Sequence, residues 1–156
     1  MLRSALMFIA GFVVAAMLVV PSSAQSMPVA NLAYVNLASN RVNTLIDFAD
    51  VANGFLSGKN KLDSVIAAHE NLTTMVTAID AKEPPITLLA LHVQLRFAAI
   101  RCGTLAGIAE SVKRIENATA FDLIPFLTER SSCFDAINNA RLRLIDYAAP
   151  YGVNPF

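Results

Sequence analysis

The stretch from Leu88 to Val112, LLALHVQLRFAAIRCGTLAGIAESV, decides the fold of this chain. Leu88, Leu91, Leu95, Ala99, Cys102, Leu105, Ala109 and Val112 recur at steps of three and four, the spacing that lines one stripe of an α-helix. After an interruption at Asn117-Ala118-Thr119 a second stripe runs Leu123, Leu127, Cys133, Phe134, Ile137, Ala140, Leu144 and Ala148. Asp122 is placed to cap that helix, Pro125 to sit in its first turn, and Pro150 with Gly152 to close it. Folded as an antiparallel hairpin, the two helices bring residues equidistant from the turn to one level. Cys102 and Cys133 are centred on residues 117–118, and each lies on its helix's apolar stripe. Their thiols are expected to form a disulfide, which requires the Cα atoms to approach within about 7 Å. Closing a loop of this length contributes about 3–4 kcal/mol by constraining the unfolded chain. The competing state is a pair of unbridged buried thiols, each packed as a small hydrophobe.

The same periodicity extends upstream. Leu32, Val35, Val42, Leu45, Ile46, Ala49, Ala52 and Leu56 form the stripe of a first long helix, with Gly54, Ser57, Gly58 and Asn60 as its stop. Leu62, Val65, Ile66, His69, Leu72, Val76 and Ile79 form a second, ending at Lys82-Glu83. Pro84 then breaks the chain, and Pro85 fits the opening turn of the next helix. No stretch alternates with period two. The expected fold is all-α, a four-helix up-down-up-down bundle joined by short connections.

Ahead of the bundle, Met1-Leu2-Arg3-Ser4 is followed by an apolar run from Ala5 to Val20 and by Pro21-Ser22-Ser23-Ala24. A charged start, an apolar core and small residues before a cut at Gln25 are the three parts of a secretory signal peptide. Residues 1–24 are thus read as a signal peptide and residues 25–156 as one helical domain, secreted or periplasmic. The apolar run is short beside the roughly 20 residues of a membrane span, although an uncleaved anchor is the rival reading. An oxidising destination favours the Cys102–Cys133 bridge.

Composition narrows the function classes. The chain has 12 basic and 12 acidic side chains, so it lacks the broad positive field that nucleic acid or anionic lipid would require. Hydrophobic residues make up 55% of it and charged residues only 15%, enough apolar surface for a core and sparse charge for a helical surface. That balance leaves one helix face to be covered by a partner.

No catalytic constellation emerges. His69-Glu70-Asn71-Leu72-Thr73 begins like the zinc-protease helix motif but has Thr73 where the second histidine belongs, and His92 is the only other histidine. There is no Gly-x-Ser-x-Gly elbow and no glycine-rich phosphate loop. Met75 and His92 are equidistant from a turn near residues 83–84, which makes them the candidate ligands of a non-covalent haem or small-ligand carrier. The bland alternative has Met75 filling a core gap. Asn71-Leu72-Thr73 and Asn117-Ala118-Thr119 match the glycosylation acceptor pattern in a chain whose host the sequence does not reveal.

Three surface features complete the reading. Asn36, Asn40, Asn43, Asp47 and Asp50 form a polar stripe on the first helix, expected to be solvated. Arg130, Arg141 and Arg143 do not make a compact basic patch, and the tail Tyr147–Phe156 is apolar enough to fold back over the bundle. The functional expectation is a non-enzymatic exported bundle that needs no cofactor or metal and binds a protein or cell-envelope partner. A ligand carrier and a membrane-anchored accessory subunit are the alternatives, and the membrane enters only if the leader is retained.

Overall fold

Proline and glycine punctuate the helices as the chain folds. A computed structural model describes residues 25–115 and 119–156 of the protein. Pro28 precedes α1, Val29–Leu56. After a turn come α2, Leu62–Ala67, and α3, His69–Asp80. A single 3₁₀ turn, Ile86–Leu88, leads into α4, Leu89–Lys113, and α5 spans Ile124–Ala148. The described residues are helical with no strand, four helical rods of which the second is in two segments. The signal-peptide reading of residues 1–24 and the acceptor Asn117 lie outside the described residues.

The end of α1 shows how local sequence sets a boundary. Gly58 adopts φ +75°, the left-handed conformation that glycine reaches without a Cβ clash. Its N–H donates to Phe55 O, and the Lys59 N–H donates to Gly54 O, the two bonds of a Schellman cap. A Cβ on Gly54 would fall 2.1 Å from Asn60 Nδ2, so a larger residue there would require the Asn60 amide, which donates to Val51 O, to move. Gly152, at φ +66°, repeats the device after α5, with Gly152 N–H donating to Ala149 O and Val153 N–H to Ala148 O.

Contacts between neighbours run in opposite chain order. Lys113 pairs with Asp63, His69 faces Glu110, and Arg96 pairs with Asp80, so α2 and α3 lie antiparallel to α4. Asn31 at the start of α1 donates to Tyr147 Oη near the end of α5 at 2.5 Å, and Arg130 near the start of α5 donates to Asn53 Oδ1. Between them Val35, Val42, Leu45, Val65, Leu72, Ile79, Leu95, Leu105, Phe126 and Leu144 form one continuous core.

The hairpin expectation holds at its sharpest point. Cys102 and Cys133 form a disulfide with their Cα atoms 4.8 Å apart, and both are fully buried. Four details differ from the sequence reading. The second helix is interrupted at Ala68, whose N–H turns back to Val65 O in a tightened 3₁₀ step before Leu72 N–H resumes the α pattern on Ala68 O. Asp122 does not cap α5; its Oδ2 accepts from Thr119 N–H and Oγ1–H within the preceding turn, which holds its carboxyl below the usual range. Pro85 precedes the 3₁₀ turn rather than entering a helix. Leu32, Leu56 and Leu127 are exposed, while Tyr34, Phe48 and Phe126 occupy the core they were expected to share. A residue one step off the stripe centre turns by about 100°, enough to exchange burial for exposure.

Candidate functional site

The α4 helix buries Leu91, Leu95, Ala98, Ala99, Cys102, Leu105, Ala106 and Ala109. One side of a helix cannot hold more, and the apolar residues left over emerge on the outside. Leu89, Val93 and Phe97, spaced by four, are 53%, 53% and 49% exposed, and Ile86 stands just ahead of them. Within this outer row there is no charge. Two arginines flank it, and each is paired with a carboxylate of its own chain. Arg96 donates through Nε to Asp80 Oδ1 at 2.5 Å and through Nη2 to Oδ2 at 3.1 Å. Arg101 Nε lies 3.1 Å from the buried Glu129 carboxylate, an ion pair whose N–H is not aimed along the contact. The stretch Ile86–Lys113 is long and apolar enough to cross a membrane by length and composition, a test that the core helix of a bundle also passes.

Further along α4 the character of the outer face changes. Ala99, Gly103, Gly107 and Ser111 form the floor of an open groove of about 500 Å³ against α3, walled by His69, Leu72, Thr73 and Val76. The glycines leave room for the α3 side chains: a Cβ on Gly103 would lie 4.0 Å from Leu72 Cβ, and one on Gly107 would lie 3.6 Å from His69 Cε1. Thr73, Thr104 and Ser111 each donate their hydroxyl to the carbonyl one turn back, so their hydrogen-bond donors are already spent. The result is a ridge of large residues and a trough of small ones on one helix.

The sequence-derived candidates lie elsewhere. His92 Nδ1 is hydrogen-bonded to Tyr34 Oη at 2.7 Å. Burial lowers the His92 pKa, partly opposed by the Asp80 carboxylate, and burial raises that of Tyr34. Met75 packs half-buried against the core, the gap-filling role. Among the described residues, no three His, Cys, Asp or Glu side chains gather closely enough to hold a metal ion. Asn71 is exposed on α3 above the buried Leu72.

The remaining surface features resolve simply. Asn36, Asn40, Asn43, Asp47 and Asp50 are all exposed, as a solvated stripe requires. Arg130 and Arg141 lie over different rings, Phe134 at 4.6 Å and Phe156 at 5.4 Å. The tail does fold back, with Ser39 Oγ donating to Pro155 O and Val153 packed on the core. The sequence reading missed the outer row of α4, although Leu89, Val93 and Phe97 repeat at helical spacing, because the core stripe beside them has the same spacing. Compared with protein-family models, curated proteins and solved structures, the chain matches none.

Proposed function

We propose that the protein is an exported, non-enzymatic bundle of up-down-up-down course that holds a protein or cell-envelope partner against the outer face of α4. The observation carrying this reading is the half-exposed, uncharged row Leu89, Val93 and Phe97. Leaving such a row in water forgoes apolar burial worth about 25 cal/mol per Å², and contiguous exposed patches of this kind characterise docking sites. Export is supported by the Cys102–Cys133 bridge, since such bonds persist in oxidising compartments.

The test is site-specific photo-crosslinking in the exporting cell. A photoreactive residue at Val93 is expected to give a discrete protein adduct, and the same residue at Asn43 on the solvated face of α1 is expected to give none. Adducts from position 43 with none from position 93 would remove the proposal.

A further inference from the structure

We infer that the partner of the α4 face is a second copy of this chain, packed antiparallel about Ile100; the inference rests on the docking reading above. Leu89, Val93, Phe97, Ile100, Gly103, Gly107 and Ser111 fall within about a third of the helix circumference at 100° per residue. Within this arc the large residues precede Ile100 and the small ones follow it, with Ile108 at the edge of the trough. A two-fold axis at Ile100 therefore sets Phe97 over Gly103 of the other copy, Val93 over Gly107 and Leu89 over Ser111. Each ridge enters the other's trough, the self-complementarity an isologous interface demands.

Electrostatics permit the same register. It places Arg96 opposite Thr104 and Arg101 opposite Ala99, so no cation meets a cation, and each arginine keeps its own carboxylate. The chain has equal numbers of basic and acidic residues, so two copies do not repel one another at long range. Area agrees as well. The strip from Ile86 to Ser111 is roughly 37 Å long at 1.5 Å per residue, and two helix widths with the α3 wall make it roughly 20 Å wide. That footprint of about 700 Å² approaches the roughly 800 Å² per partner of a stable interface.

Sedimentation equilibrium of the exported, oxidised protein over about 1–100 µM tests the inference, in a range where standard interfaces assemble. The expected result is a dimer, weakened at least tenfold by Val93→Glu with the far-UV circular dichroism unchanged. An Ile100→Cys variant is expected to crosslink to itself across the axis, whereas Leu142→Cys, on the exposed side of α5, is not. A folded wild-type protein that stays monomeric throughout overturns the inference, as does a dimer indifferent to Val93→Glu. Monomeric protein that floats with lipid vesicles through the same face overturns it too. A monomer whose Val93 photo-adduct is a different protein sinks only the dimer; a monomer with no adduct sinks the docking reading with it.

Discussion

The two sides of α4 are built differently. Toward α5 it is stapled by Cys102–Cys133 and shares a core of Leu95, Leu105, Phe126, Ile137 and Leu144. Toward α3 it meets a helix that is interrupted at Ala68, with Gly103 and Gly107 rather than larger residues at the contact and an open groove along the seam. The closed side supplies stability, because close packing leaves no cavity and the bridge restrains the unfolded chain. The open side supplies shape, because a surface still free to be filled is what a partner needs. The α4 helix serves both by turning Leu91, Leu95 and Leu105 to the core and Gly103, Gly107 and Ser111 to the trough.

The largest effect expected on this contrast comes from removing the staple. Cys102→Ala with Cys133→Ala should lower unfolding free energy by about 3–4 kcal/mol in urea denaturation, the loop-entropy value for such a separation. A loss well under about 1 kcal/mol would mean that packing alone sets the α4–α5 register. A matched pair of truncations sharpens the comparison. Leu105→Ala, in the closed core, should cost about 3–4 kcal/mol, and Leu72→Ala, at the groove edge where neighbours can relax, about 2–3 kcal/mol. Equal losses would show that the groove side is as tightly packed as the stapled side.

The smallest effect concerns pH. Burial lowers the His92 pKa from its ordinary 6.5, so the folded state prefers the neutral ring. Its contribution is complete above that value and is lost as pH falls through the lower folded value. Tyr34 and Arg41 on α1, Asp80 on α3 and Arg96 on α4 surround the ring, and Arg41 and Arg96 oppose its protonation while Asp80 favours it. The melting temperature should therefore drop by no more than about 2 °C between about pH 7 and 5, and His92→Gln should flatten that drop. A melting temperature that rises on acidification would show that Asp80 outweighs burial.

Much of this architecture was legible in the chain. The three- and four-residue spacing gave the helices, and two cysteines equidistant from one turn gave the α4–α5 register, because a hairpin converts sequence distance directly into height. The same logic also placed Met75 and His92 at one level; in the structure His92 is hydrogen-bonded to Tyr34 on α1, and Met75 packs half-buried against the core. Asp122 looked like a helix cap by composition, yet its carboxylate was taken by Thr119, a nearer donor in the same turn. The candidate docking face was visible as spacing and still missed, since Leu89 and Leu91 are chemically identical and differ only in the angle at which they leave the helix.

The sequence by itself determined that this protein is a set of amphipathic helices with one disulfide-ready hairpin, because periodicity and spacing are local properties of the chain. Only the tertiary structure decided that the second helix breaks at Ala68, that the tail closes over Ser39, and that Leu89, Val93 and Phe97 face outward beside a glycine-floored trough. Which apolar residues a helix buries depends on what packs against it, and that is settled by neighbours distant in sequence.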